Sequence, residues 1–198
     1  MDRDPTEEGA PEQTPPSDLQ DAGRFAKLAE LYRHNRDIFK HWLKFVGILG
    51  FLVAVSQLAA NWLEYRLAAS TAAASAFILR LLGAEGRAHG VMLAATPCKF
   101  EIIGECTAHY PMAIFIAAVL AFPCKLSRRL LGIGLGIPTI LLINQVRLVS
   151  LCYIRGWFPR IFETAHVLVW QSLIVFFTVL VWVVWATTLG RGDETRPT

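Results

Sequence analysis

Apolar residues in this chain are gathered into blocks separated by short polar joints. The first block is preceded by a long polar leader. Residues 1–22, MDRDPTEEGAPEQTPPSDLQDA, are dominated by proline, acidic and small polar residues. Such a stretch buries too little apolar surface to offset chain entropy, so residues 1–23 are expected to form a disordered, solvated tail. A polar start of this kind is unlike a signal peptide. Residues 24–44 change character. Phe25, Leu28, Tyr32, Phe39 and Trp42 recur at roughly helical spacing, with Arg24, Lys27, Arg33, Arg36 and Lys40 between them. A basic amphipathic helix beside a span is expected to lie on the cytoplasmic leaflet.

Four blocks follow that suit membrane spans: 45–63, 108–123, 130–154 and 165–188. Glycines at 132, 134 and 136 in the third allow close helix packing. Between the first two blocks the pattern is weaker. Residues 66–83 are rich in alanine and serine and carry Arg66 and Arg80. Residues 84–105 hold Gly86, Gly90 and Pro97 between short apolar pieces, which reads as a small extended or hairpin element. A short polar turn is expected over 156–163.

Charge asymmetry orders these pieces. Lys125, Arg128 and Arg129 form the strongest basic joint after the N-terminal flank, and basic joints face the cytoplasm. The span 108–123 then begins outside, and so does the last. The first span also ends outside. An even number of crossings must lie between it and residue 106, so 66–83 is expected to be an external interfacial or re-entrant helix. The predicted fold class is an all-α integral membrane protein. It has about four transmembrane helices, with an extracytoplasmic helix and a small hairpin before the second span. The membrane domain is 45–190, its external segment 64–107, and 191–198 is a cytoplasmic tail.

Composition agrees: 54% of the 198 residues are hydrophobic and 18% charged, which fits a chain solvated by lipid better than one large soluble core. Net charge is +3, and no basic patch with interleaved aromatics lies outside the membrane flanks, so no nucleic-acid partner is expected. No C-x-x-C, H-E-x-x-H or comparable ligand spacing occurs, so neither a metal nor another cofactor is expected.

On this topology, polar residues attached to three different spans share one leaflet. Cys106 precedes the second span within Glu101-Ile-Ile-Gly-Glu-Cys-Thr-Ala-His-Tyr-Pro111, and His166 opens the last. Arg147 lies seven residues from the end of the third, roughly 10 Å below it at about 1.5 Å per residue. An arginine inside an apolar span is costly and calls for a function or a carboxylate partner; Glu101, Glu105 and Glu163 are candidates. A thiol at a helix start, a histidine to take its proton and an arginine to stabilise an oxyanion are the parts of an acyl-transfer site. A second reading is a non-enzymatic transporter or channel subunit in which Arg147 holds an anion, and a third is a structural scaffold. Of the remaining cysteines, Cys98 is free to pair with Cys106, while Cys124 and Cys152 read as apolar packing residues.

The string Glu105-Cys106-Thr107-Ala108 before a span, then Asn144-Gln145-Val146-Arg147, then His166, resembles the exosortase/archaeosortase family in a short form similar to exosortase H. The resemblance covers roughly residues 95–188. It implies a membrane-embedded cysteine protease or transpeptidase, in the cell (inner) membrane, acting at its outer face. Cys106 would be the nucleophile, Arg147 and His166 would complete the site, and Asn144, Glu101 and Glu105 would support it. The implied partners are membrane-anchored proteins with a tripartite C-terminal tail: a short motif, an apolar span and a basic end. Many members carry glycine two residues after the cysteine; this chain has Ala108.

Overall fold

A computed structural model describes residues 36–96 and 98–190. The expected tails at 1–23 and 191–198, and the part of the amphipathic segment before Arg36, lie outside the described residues. The chain divides into two units, Met1–Lys40 and His41–Thr198. Of the first, only the opening turn of one helix is described.

Five helices and one small sheet make up the described chain. Helix α1 runs Arg36–Leu58 and α2 Ala60–Leu81. An antiparallel sheet follows, with β1 Arg87–His89, β2 Met92–Ala95 and β3 Cys98–Glu101 in the order β1-β2-β3. Helix α3 is His109–Ala121, α4 is Leu126–Trp157 and α5 is Pro159–Gly190. Three helices are long and apolar enough to cross a membrane: Ile38–Leu58 in α1, α4 and α5. Helix α3 is a shorter apolar helix. The protein is thus an all-α membrane protein, with the sheet as its one extended element among the described residues.

Several boundaries differ from the sequence pattern, each for a local reason. Helical winding already runs from Arg36 through Lys40 and Lys44, and the stretch apolar enough to cross a membrane is Ile38–Leu58. Helix α2 starts at Ala60, so Trp62 and Tyr65 belong to it and not to the end of the first span. The extended segment is a three-stranded meander rather than a single hairpin, with Arg87 opposite Ala94 and Leu93 opposite Phe100. The basic joint is also shorter than expected. Arg128 and Arg129 lie in the first turn of α4, where Arg129 donates to the carbonyl of Phe122 at 3.0 Å, just past the end of α3. No polar turn spans 156–163. Helix α4 continues to Trp157, and Pro159, with its fixed φ, starts a 3-10 turn that feeds α5.

Two apolar clusters hold these elements. One joins Ala68, Ala72, Ala76 and Leu79 of α2 to Leu93 and Cys98 of the sheet and to Leu148 and Cys152 of α4. The α2 members recur every three or four residues, which puts them on one face. Thr71 and Ser75 are buried with them, and Ser75 Oγ donates to Gln145 Oε1 at 2.7 Å, tying α2 to α4. The other cluster joins Phe115 and Val119 of α3, Ile140 of α4, and Trp185 and Ala186 of α5. Here the α4 glycines allow the approach that their sequence pattern predicts. Phe115 packs on Gly136 and Trp185 on Gly132, each where a β-carbon would stand. Gly134 faces open space. Helix α1 buries none of its apolar window within the protein.

Candidate active site

Between the sheet and α3 the chain makes one tight loop, and both apolar clusters grip it. Ile102 and Cys106 belong to the first cluster, and Ala108 to the second. The loop is a 3-10 turn, Gly104–Cys106. The amide of Cys106 donates to Ile103 O at 2.9 Å and that of Thr107 to Gly104 O at 3.1 Å. Thr107 Oγ1 also donates to Gly104 O, at 2.7 Å. That uses the hydroxyl hydrogen, so the proton in the 2.9 Å contact between Thr107 Oγ1 and His109 Nδ1 sits on the histidine. The Glu64 carboxylate packs against Gly104 where a β-carbon would stand. At Ala108 the backbone turns left-handed, with φ 58° and ψ 18°, before α3 begins.

Helix α4 holds this loop from beneath. Asn144 and Arg147, three residues apart, lie on one face of the helix. Asn144 Nδ2 donates to the carbonyl of Cys106 at 2.7 Å, and Arg147 NH1 to the carbonyl of Glu105 at 3.3 Å. Two side chains one turn apart thus take two consecutive carbonyls. Both are fully buried, with Asn144 at 0% and Arg147 at 1% exposure. The second guanidinium nitrogen, NH2, donates to Gln171 Oε1 at 3.4 Å. No carboxylate pairs with Arg147 among the described residues. Glu105 contributes its backbone carbonyl and turns its side chain outward, and Glu101 is exposed and makes no side-chain hydrogen bond there. The carboxylate partners considered from sequence therefore give way to a carbonyl and an amide. A buried guanidinium needs directed acceptors; neutral ones meet NH1 and NH2, while Nε has no partner among the described residues.

Helix α5 brings His166. Its Nε2 lies 3.9 Å from Cys106 Sγ. Phe162, one turn earlier, stacks on the imidazole with ring centres 5.9 Å apart and planes 11° apart. Arg155 lies over the same Phe162 ring, with its guanidinium carbon 4.8 Å from the ring centre. Neither Cys106 nor His166 stands at a helix start, as the apolar blocks implied. Cys106 ends the 3-10 turn, and His166 lies inside α5, in a π-helical segment Ala165–Trp170.

The sulfur environment sets its acidity. Cys106 is 4% exposed, and burial pushes the thiol above its ordinary value. The Arg147 charge acts against that shift, and the Glu105 charge adds to it. Burial wins, so the resting group is a thiol and not a thiolate.

Cys98 does not pair with Cys106. It forms a disulfide with Cys152, across 54 residues of chain. Cys152 is therefore a cross-link between β3 and the end of α4, not the packing residue that its apolar surroundings suggest. Cys106 and Cys124 are free. Gln171 was also hidden in the sequence. Its only signal there is an amide inside an apolar helix, five residues after His166.

The helical architecture, the buried thiol and guanidinium and the half-buried imidazole define a class: an all-α membrane protein with a polar cluster where one loop meets two helices. The chain belongs to the transmembrane exosortase family (Exosortase_EpsH), whose model matches residues 29–185. At the level of the family this is a membrane-embedded enzyme that processes sorting signals. No curated protein and no solved structure matches the chain.

Proposed function

We propose that this protein is a cysteine protease or transpeptidase that cuts C-terminal sorting signals of exported, membrane-anchored proteins. The observation that carries the reading is the 3.9 Å approach of His166 Nε2 to Cys106 Sγ, on a loop whose carbonyls are held by Asn144 and Arg147. His166 takes the thiol proton as the sulfur attacks a peptide carbonyl. The tetrahedral oxyanion develops beside the Arg147 charge. Collapse expels the amine of the tail, which receives the proton from His166, and leaves a thioester on Cys106. An acceptor amine, or water, then attacks the thioester and releases the sulfur. A resting thiol with a raised pKa suits this order, because the base acts only when the carbonyl is in place.

The same reading sets the site at the outer face of the cell membrane. Lys125, Arg128 and Arg129, at the opposite end of α3 from the loop, favour the cytoplasm. A disulfide between Cys98 and Cys152 suits an oxidising compartment. The substrate is a tail with a motif, a span and a basic end, with its scissile bond level with Cys106.

The test is the length of such a tail-bearing protein in the same cell. Cys106→Ala is expected to leave it uncut, and Cys106→Ser to slow processing by several orders of magnitude. Normal trimming in the Cys106→Ala strain would end the proposal.

A further inference from the structure

Helix α5 is wound as a π-helix over Ala165–Trp170. His166 lies in that segment, and Gln171 follows it directly. Hydrogen bonding from i to i+5 stacks residue i+5 nearly over residue i; at 3.6 residues per turn Gln171 would stand about 140° round the helix from His166. The wider turn therefore brings two polar side chains of an apolar helix to one side. Both reach the loop assembly. His166 Nε2 is 3.9 Å from Cys106 Sγ, and Gln171 Oε1 accepts from Arg147 NH2 at 3.4 Å.

That bond settles how the amide is turned. A guanidinium only donates, so the amide oxygen faces Arg147 and the NH2 group points elsewhere. Among the described residues this NH2 group has no acceptor. Gln171 is exposed, within a helix whose most apolar stretch has a mean hydropathy of 2.5. An exposed amide in an apolar helix, its oxygen held by Arg147, has both N–H donors open to an acceptor from outside the chain. An acceptor oxygen bound there would lie beside a guanidinium, an imidazole and a thiol.

We propose that Gln171 is a substrate-binding residue whose amide nitrogen donates to a backbone carbonyl oxygen of the substrate peptide beside the scissile bond, while its amide oxygen positions Arg147. The proposal rests on the cysteine reading above. It makes the π-helical segment a functional device, since it supplies the rotation that points both side chains at one carbonyl.

The test uses the full-length protein in lipid nanodiscs and, as probe, a reporter ending in the C-terminal tail of an exported protein of the same cell. Gln171→Glu keeps an acceptor for Arg147 but loses the donors; Gln171→Met loses both; Gln171→Asn keeps both on a shorter arm. Glu and Met variants are expected to lower kcat/KM for tail removal about 10- to 100-fold, with Asn between them and the parent. Formation of the Cys98–Cys152 disulfide checks that each variant has folded. Wild-type rates in both Glu and Met variants, with Cys106→Ala inactive, would overturn the Gln171 proposal alone. Processing by Cys106→Ala would overturn the cysteine reading and this proposal with it. A second measurement needs no turnover. In Cys106→Ala protein labelled with 15N-glutamine, the Gln171 side-chain amide signal should shift as a synthetic tail peptide is added. Saturable binding of that peptide with no shift would also defeat the proposal.

Discussion

Ala108 carries the clearest backbone strain in the site. It is the one non-glycine residue with positive φ among those described, and it is buried at 2% exposure. A left-handed L-residue costs roughly 1–2 kcal/mol, while burying one methyl contributes about 0.8 kcal/mol. Ala108→Gly is therefore expected to be neutral or to stabilise by up to about 1 kcal/mol. Ala108→Val, with a branched β-carbon at the same φ, is expected to destabilise by more than either term alone. Thermal unfolding in detergent reads both. The raised thiol pKa of Cys106 gives a second expectation. Its alkylation rate should still be rising above pH 9, because the protonated form persists beyond the range of an ordinary thiol. Arg147→Gln removes the charge that opposes this shift, so the curve should move to still higher pH. A plateau below pH 8 would show a thiolate stabilised at rest. At this scale Cys106, Arg147 and His166 were legible, because each is a polar group set in or beside an apolar run. Gln171 and Cys152 were not. An isolated glutamine reads as a minor polar defect, and a cysteine in an apolar run reads as a small hydrophobe until its partner is in view.

At the scale of elements, α4 organises the protein. One face presents Asn144 and Arg147 to the loop, and its glycines admit α3 and α5. Gly136→Ala drives a methyl into the Phe115 ring, and Gly132→Ala meets Trp185. Each is expected to destabilise by about 1–3 kcal/mol, as overpacking does. Gly134→Ala meets nothing within 4 Å and removes a poor helix former, so it should stabilise by up to about 1 kcal/mol. Unfolding midpoints of the three variants in one detergent decide this, and equal effects would mean the helices are not packed as described. The three glycines looked alike in sequence. Only the rotation of α4 against its neighbours separates the two contact positions from the open one. Strand positions were similarly half-legible: Gly86 and Gly90 flank β1, while the pairing of three strands depends on register.

For the whole molecule, the cross-link and the side of the membrane are one question. Glu101→Cys lies on the exposed end of β3, and Lys125→Cys on the exposed joint between α3 and α4. In intact cells an impermeant maleimide is expected to label the first and spare the second until the membrane is opened. The reverse pattern would put the loop in the cytoplasm. Replacing both Cys98 and Cys152 with Ser should cost up to about 4 kcal/mol in the chain-entropy view of a 54-residue loop, and less if the membrane already confines the unfolded chain. Non-reducing mobility and thermal unfolding measure the two parts.

The sequence by itself determined that the chain enters a membrane as helices. It also marked which residues are out of place there, because hydropathy and helical period are local properties, written residue by residue. Whether those residues meet depended on rotations and contacts between elements far apart in the chain. The tertiary structure decided that α4 takes two carbonyls of the Cys106 loop, that Cys98 reaches Cys152 and not Cys106, and that Arg147 of α4 meets Gln171 of α5. A small difference in winding or register changes each of these, and the local pattern that places the helices is nearly blind to it.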